Sequence, residues 1–262
     1  MATPSFLTLP ARLPAPRDAG LTHVLDPGVS PAVAADLLAG AGAFVDIWKT
    51  GWGTAYVDPR LAEKIAVLDE HGVDSCLGGT LLEIAWAQGV AEECLAWAQR
   101  VGFRHVEVSR GTVPMTVDDK RALVRRATER FVVISEVGAK DPEQQHTLEQ
   151  WRDEAAADWE AGARLVVAEG RQSGTVGIFD AVGAVREDVV DALVDAVGPE
   201  HLVFEAPRTQ QQAWFVRRFG ADVNLGNVAL DDVLGLEALR VGLRSDTAMA
   251  TISAAISAEL AR

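Results

Sequence analysis

The chain has 262 residues, of which 48% are hydrophobic and 24% charged, and its formal net charge is −14. Its mean hydropathy is +0.10, so length and composition favour one globular domain with a large core over a disordered or fibrous chain. The acidic balance argues against nucleic acid or a membrane surface as partner, because both carry negative charge. A small anionic substrate remains compatible with it, since a local basic pocket can override the overall field.

Cysteine usage and the N-terminal segment indicate the cellular compartment. Cys76 and Cys94 are too few for a disulfide framework, and we expect both to be buried, reduced thiols. Residues 1–17 are rich in proline and lack the apolar run of a signal peptide. No stretch approaches the about 18 apolar residues of a spanning helix. We therefore expect a cytoplasmic protein, with residues 1–17 as a loosely ordered arm of a single domain over residues 1–262.

One unit recurs along the chain: a short apolar run, a polar or glycine-containing loop, and an amphipathic helix. The apolar runs return roughly every 22 to 36 residues, which is the size of a β-plus-α repeat. The predicted strands are 22–25, 44–48, 74–77, 105–108, 131–135, 164–168, 201–204 and 222–225. The predicted helices are 59–70, 82–100, 118–130, 146–161, 185–197, 210–219 and 230–239.

Alternating strands and helices predict parallel strands joined by right-handed crossovers. Eight strands close a barrel, so the pattern predicts an α/β protein of the (β/α)₈, or TIM-barrel, type with a single domain. An open doubly wound sheet is the alternative. It is disfavoured because no G-x-G-x-x-G motif follows the first strand.

Ionisable and amide side chains stand at the ends of nearly all the predicted strands. The C-terminal ends of barrel strands form one mouth, where barrel enzymes keep their active sites. Each of these residues taken alone is equally compatible with the start of a solvated loop, but their joint occurrence predicts an active site. They are Asp26, Lys49, Glu107 with Ser109 and Arg110, Glu136 with Lys140, Glu169 with Arg171, Glu205, and Asn224 with Asn227.

So many carboxylates in one cavity require compensating positive charge. A hard cation with oxygen ligands, Mg²⁺ before others, is one source, and Lys49, Arg110 and Arg171 are another. Zinc is disfavoured because the five histidines show no metal-binding spacing. Histidines at the strand starts, such as His23, are expected to be structural. The glycine turns at 51–54, 78–80 and 226–227 let backbone N–H groups approach a phosphate.

Short strings from Arg17 to Thr247 follow one pattern, and together they resemble the phosphosulfolactate synthases of coenzyme M biosynthesis and their bacterial relatives. The order and number of the strings make this resemblance specific. The strings are 20–22 with 26–28, 49–54, 78–80 with Glu83, 102–103 before 107–109, 135–138 with Lys140, 169–174, 204–207, 223–227, and 240–244 before 246–247.

The resemblance implies a barrel enzyme that adds sulfite to phosphoenolpyruvate, giving 2-phospho-3-sulfolactate, and that requires Mg²⁺. Attack at C3 drives charge into the substrate carboxylate, which a metal can stabilise, and a general acid must then protonate C2. We expect Lys49 to be this acid. The remaining expected roles are Glu136 and Lys140 in catalysis, Glu107, Glu136 and Glu169 around the metal, and Asp26, Ser109, Arg110, Arg171, Glu205, Gly226 and Asn227 at the substrate.

Two positions depart from the family pattern. An acidic residue usually follows the serine matched by Ser109, whereas this chain has Arg110, and Gln172 replaces a glutamate after Arg171. Both changes make the mouth less negative if both side chains face it. Two alternatives follow: a more anionic nucleophile acting on the same enolpyruvyl phosphate, and a catalytically lapsed barrel that serves as a binding protein.

Tryptophans on the predicted helices, among them Trp86, Trp97 and Trp159, suit core or subunit packing. A homo-oligomer is therefore expected, with small anionic molecules as its other partners.

Overall fold

The computed structural model describes residues 6–139 and 146–248, and in it eight parallel strands close into a barrel in chain order. The last strand pairs with the first, which completes the ring. The predicted (β/α)₈ barrel is thereby confirmed. The strands are β1 Thr22–Asp26, β2 Ile47–Thr50, β3 Asp74–Leu77, β4 His105–Val108, β5 Val132–Val137, β6 Leu165–Ala168, β7 Leu202–Glu205 and β8 Leu225–Ala229.

Helices occupy the crossovers between the strands. Among the described residues they are α1 Pro31–Ala41, α2 Thr54–Val57, α3 Leu61–Glu70, α4 Gly79–Ala87, α5 Ala91–Val101, α6 Val117–Ala127, α7 Leu148–Glu160, α8 Glu187–Val197, α9 Thr209–Phe219 and α10 Val233–Arg240. None of these helices is both long and apolar enough to cross a membrane.

Several boundaries differ from the predicted ones for local reasons. The single helix expected at 82–100 is two helices, separated at Gly89, where φ is +75°. β8 begins at Leu225, three residues later than predicted. The side chain of the preceding residue, Asn224, forms hydrogen bonds at the base of the barrel. Its Oδ1 accepts from Leu21 N at 2.9 Å and its Nδ2 donates to Leu202 O at 3.0 Å. Asn224 therefore lies away from the mouth.

Side chains on each strand alternate between two apolar clusters. Leu21, Ile47, Cys76, Ile134, Leu165, Val167 and Val203 form a small cluster, while residues such as Val24, Val106 and Phe204 belong to a larger one that includes the helices. Because successive strand residues face opposite sides, the small cluster fills the barrel interior and the larger one lies between strands and helices. Position along this alternation decides which strand-end residues face the mouth.

The N-terminal segment contacts the barrel through arginines. Arg12 pairs with Glu237 at 3.0 Å, and Arg17 pairs with Asp46 at 2.8 Å. Of the two cysteines, Cys76 is buried and Cys94 is half-buried, and both are free thiols.

Two lysines are buried between the helices and the barrel. Lys64 of α3 pairs with Asp26 at 2.8 Å and with Asp58 at 3.0 Å. Lys120 of α6 pairs with Glu154 at 2.8 Å and with Asp158 at 2.6 Å. Each ammonium thus bridges two carboxylates. This pairing offsets the free-energy cost of burying the charged lysine.

Glu154 of α7 accepts hydrogen bonds from two cations. Besides Lys120, the guanidinium of Arg110 reaches its two oxygens at 2.9 and 2.5 Å. Burial by itself raises the pKa of Glu154, but Lys120 and Arg110 outweigh it and hold the pKa at about 2, against an ordinary value of 4.5. The ionised form of Glu154 therefore stabilises the fold.

We predict that Glu154→Gln removes an acid-sensitive part of this stability. Because the folded-state pKa of Glu154 is depressed, its contribution of about 3 kcal/mol is complete above pH 4.5 and declines as pH falls toward 2. The stability difference between wild type and Glu154→Gln should therefore shrink on acidification. Urea unfolding from pH 6 downward measures it, and a difference that stays constant with pH would contradict the prediction.

Gly138, directly after β5, allows α7 to pack close to the barrel mouth. Its φ is +121°, and a Cβ there would lie 2.3 Å from the Trp151 ring and 2.8 Å from Glu169 Cβ. Neither atom lies at the tip of a flexible chain, so the site admits only glycine.

We predict that Gly138→Ala destabilises the protein by about 2–5 kcal/mol, combining left-handed backbone strain with overpacking. Gly72→Ala is the matched control, because Gly72 also has positive φ (+68°) but no atom within 4 Å of a new Cβ. That variant should lose only about 1–2 kcal/mol. Urea unfolding of both proteins checks this, and equal losses would refute the role given to the packing against Trp151.

Candidate active site

A cavity of about 460 Å³ opens at the C-terminal ends of the strands. Its charged lining comes from five different strands or strand ends, as the sequence predicts for a barrel mouth. The lining residues are Leu25, Lys49, Gly51, Trp52, Gly78, Gly79, Thr80, Glu107, Thr112, Glu136, Glu169, Arg171, Gln172, Ser173, Glu205 and Asn227.

Lys49 stands at the centre of this lining. Its Nζ donates to Glu107 Oε2 at 2.9 Å and to Glu205 Oε1 at 3.1 Å, and the side chain is 5% exposed. Burial by itself lowers the pKa of Lys49, but the charges of Glu107, Glu205 and Glu136 outweigh burial and hold the pKa well above its ordinary value. The side chain is therefore a persistent ammonium ion.

Backbone N–H groups hold the other oxygens of the two paired glutamates. Glu107 Oε1 accepts from Gly79 N at 2.9 Å, at the start of α4. Glu205 Oε2 accepts from Gly170 N at 3.0 Å and from Arg171 N at 3.1 Å. Such bonds fix the direction of each carboxylate.

The glycine turn at 78–79 is required by close approach of the backbone. A Cβ on Gly78 would lie 2.4 Å from Thr50 O, and one on Gly79 would lie 2.3 Å from Ser109 Oγ. The turn between β3 and α4 therefore packs against the ends of β2 and β4 and also supplies the bond to Glu107.

Three carboxylates gather beside Lys49. One oxygen each of Glu136, Glu169 and Glu205 lie within 4.8 Å of one another, and all three residues are buried. Within the described part of the chain, this is the group that could hold a metal ion. An all-oxygen donor set of this kind fits Mg²⁺, which favours carboxylate ligands. Glu107 was expected in this group, but the third member is Glu205.

Backbone strain is concentrated at the same cavity. In the described residues, the non-glycine positions with positive φ are Trp52 (+51°), Arg171 (+53°) and Asn227 (+51°), and all three line the cavity. A left-handed conformation is costly for a residue with a Cβ and is typical of functional sites. At Arg171 it accompanies the backbone N–H bonds to Glu169 at 2.8 Å and to Glu205.

The barrel interior below Lys49 contains a neutral histidine. His23 is 1% exposed, and burial, followed by the charge of Lys49, lowers its pKa well below the ordinary value. Gly226, expected at the substrate, lies at this deeper level, since a Cβ on it would be 3.0 Å from His23 Nδ1. The structure thus places Gly226 beside the core and outside the cavity lining.

Asp26, also expected at the substrate, requires correction. It shares the outward face of β1 with Val24, and its oxygens are occupied on the helix side of the barrel. Oδ1 accepts from the backbone of residues 28 and 29 at 2.7 and 2.8 Å. Oδ2 accepts from Lys64 at 2.8 Å and from the Trp48 indole at 3.0 Å. Its neighbour Leu25 takes the inward position.

Ser109 and Arg110 are likewise directed to neighbouring helices. Ser109 donates a short hydrogen bond to Glu83, and Arg110 pairs with Glu154. Neither residue lines the cavity. The expected reduction of negative charge at the mouth therefore does not arise from Arg110, whereas Gln172 does line the cavity. Lys140 lies outside the described residues.

Sequence reasoning assigned no role to Glu83. This residue of α4 is fully buried, and it accepts from Thr112 N at 2.6 Å and from Val113 N at 3.2 Å as well as from Ser109. It thereby orders the loop that brings Thr112 to the cavity. The sequence signal that could have found it is a single glutamate among the apolar residues that follow Gly79. A glutamate in such a setting is expected to be buried against a polar partner.

Comparisons with known proteins show the family to which the chain belongs. Residues 10–246 match the family model described as (2R)-phospho-3-sulfolactate synthase (ComA). The chain is 39% identical over 244 residues to the phosphosulfolactate synthase of Bacillus subtilis, covering 92% of this chain and 97% of that protein. It is 41% identical over 250 residues to that of Methanothermobacter thermautotrophicus, covering 92% and 96%.

Solved structures resemble the fold at low sequence identity. The 3-hexulose-6-phosphate synthase of Salmonella typhimurium superposes with a TM-score of 0.59 at 13% identity, covering 84% of this chain and 97% of that one. This likeness concerns the barrel alone. On the family match and the curated relatives, the chain is an enzyme that belongs to the phosphosulfolactate synthase family.

Proposed function

We propose that this enzyme catalyses the Mg²⁺-dependent addition of sulfite to phosphoenolpyruvate, giving 2-phospho-3-sulfolactate. The observation that carries the proposal is the buried ammonium of Lys49, held between Glu107 and Glu205 beside a group of three carboxylates in one cavity. The names of the curated relatives support the same product class.

The cavity offers groups that suit a small polyanion. Arg171 can present a guanidinium fork to a phosphate or carboxylate, which it matches bidentately. Thr80, Thr112 and Ser173 add hydroxyl groups to the lining, and Asn227 adds an amide. These groups would orient the substrate in an otherwise acidic protein.

The reaction forms one bond and moves one proton. The sulfur lone pair of sulfite forms a bond to C3, and the C2=C3 electron pair moves toward C2 and the substrate carboxylate. Lys49, kept protonated by its glutamate partners, stabilises this charge and gives a proton to C2, after which solvent reprotonates it. Mg²⁺ bound by Glu136, Glu169 and Glu205 would supply further positive charge opposite that carboxylate.

The position of Arg110 supports sulfite as the nucleophile. The alternative, a more anionic nucleophile, rested on the charges that Arg110 and Gln172 bring to the mouth. Arg110 pairs with Glu154 outside the cavity, so only the replacement by Gln172 still bears on the charge of the cavity. The retained charges around Lys49 also favour an active enzyme over a lapsed barrel, because unused buried charges destabilise a fold.

The activity is tested by incubating the protein with phosphoenolpyruvate, sulfite and Mg²⁺ and following phosphorus NMR. We expect the enol phosphate signal to be replaced by that of an alkyl phosphate ester. Omission of sulfite or chelation of Mg²⁺ should abolish the change. Unaltered phosphoenolpyruvate with folded protein and all components present would overturn the proposal.

We predict that Lys49→Met lowers kcat by about 10²–10⁴-fold, the usual contribution of a general acid. It should also destabilise the fold by about 3–5 kcal/mol, since Glu107 and Glu205 lose their buried partner. Lys64→Met is the matched control: Lys64 is an equally buried lysine between two carboxylates, but it contacts no cavity residue.

Urea unfolding gives the stability of each variant, and kcat measured without urea is divided by the folded fraction. The loss of turnover is thereby separated from the loss of stability. Lys64→Met should lose stability and keep its kcat. A Lys49→Met protein that is folded and turns over like wild type would remove Lys49 from the mechanism.

A further inference from the structure

Lys120 of α6 makes a contact that its ion pairs do not require. Its side chain is fully buried, and Nζ donates to the backbone oxygen of Glu136 at 2.6 Å in addition to Glu154 and Asp158. An ammonium has three donors, so these three acceptors use all of them. One of the three belongs to a residue of the carboxylate group at the cavity.

Strand lengths explain why the Glu136 carbonyl is available. β4 ends at Val108, which pairs with Ser135, so no residue of β4 stands beside Glu136. On the other side of β5, the next carbonyl, that of Val137, accepts from Glu169 N at 3.0 Å. The Glu136 carbonyl thus points to the side on which the sheet has ended, and a buried carbonyl needs a donor there. Lys120 supplies it.

The partners of Lys120 extend to both neighbouring strand ends. Asp158 accepts from Ser135 Oγ at 2.6 Å, next to Glu136 on β5. Glu154 accepts from Arg110, three residues after Glu107. The two cations and two carboxylates of this group balance in charge. We name Lys120, Glu154, Asp158 and Arg110 the Lys120 cluster.

Stability alone does not account for this arrangement. Replacing a buried ionic group by well-packed apolar side chains is often neutral or stabilising. What an apolar side chain cannot do is bond to the Glu136 carbonyl and tie it to the helix layer. The cluster therefore fixes the backbone that carries one carboxylate of the cavity.

We propose that Lys120 is a positioning residue for Glu136, and that Arg110 acts through Glu154 in the same support and does not bind substrate. This inference rests on the proposed function, since it assigns Glu136 to the metal group. Partners of metal ligands typically change metal affinity or activity by about 10–100-fold when removed. A comparable loss is expected here.

The test measures Mn²⁺ binding, with Mn²⁺ as a spectroscopic substitute for Mg²⁺, by the electron paramagnetic resonance signal of the free ion. Lys120→Met should bind Mn²⁺ about 10–100-fold more weakly than wild type and lower kcat more than it raises KM. Lys64→Met is again the control, because that lysine is also buried and paired with two carboxylates, and its two carboxylate partners lie outside the group of Glu136, Glu169 and Glu205. It should bind Mn²⁺ like wild type.

A second variant protects the test against failure to fold. Lys120→Met/Glu154→Gln removes one cation and one anion, so the cluster stays balanced by Arg110 and Asp158, while the Glu136 carbonyl still lacks its donor. We expect its thermal stability to recover relative to Lys120→Met and its Mn²⁺ affinity to remain weakened.

The outcomes separate the two proposals. Wild-type protein that binds no Mn²⁺ would overturn the metal site, and this role of Lys120 with it. A folded Lys120→Met or double variant with wild-type Mn²⁺ affinity and kcat would overturn the positioning role alone.

Discussion

The compensation of buried negative charge by Lys49 is the interaction on which the mouth of this barrel depends. Glu107, Glu136, Glu169 and Glu205 all line one cavity, and the ammonium of Lys49 bonds two of them directly. Carboxylates this close repel one another, and a cation bonded to two of them offsets that repulsion. The same closeness that makes the site electrostatically costly gives it an oxygen-rich surface and a protonated lysine in one place.

Backbone N–H groups hold two of the carboxylates at the mouth in place. Glycines after β3 and β6 let chain segments approach closely enough for N–H groups to reach Glu107 and Glu205. Left-handed residues such as Arg171 continue this arrangement at a conformational cost. The carboxylates are thus held by fixed donors, and a site fixed in advance needs little reorganisation when charge develops on a substrate.

A second layer of charge lies between the barrel and its helices. Lys64 and Lys120 each pair with two carboxylates there, and both are as buried as the apolar core. The two lysines differ in what they reach: one orders the loop after β1 through Asp26, and the other bonds the strand that carries Glu136. Both lysines are buried and paired with two carboxylates, but Lys120 alone of the two bonds to Glu136 of the cavity lining, and Arg110 joins its group as a second cation.

The sequence by itself determined the barrel, its strand spacing, the family and most of the charged mouth, because these depend on periodicity and on residue types at strand ends. It did not separate Asp26 from Lys49. Each follows or ends an apolar run, yet a single step in the alternation turns one toward the helices and the other into the cavity. Nor did it pair Arg110 with Glu154, or choose Glu205 over Glu107 for the carboxylate group. Those outcomes depend on which side chains from distant segments meet, and only the tertiary structure decides that.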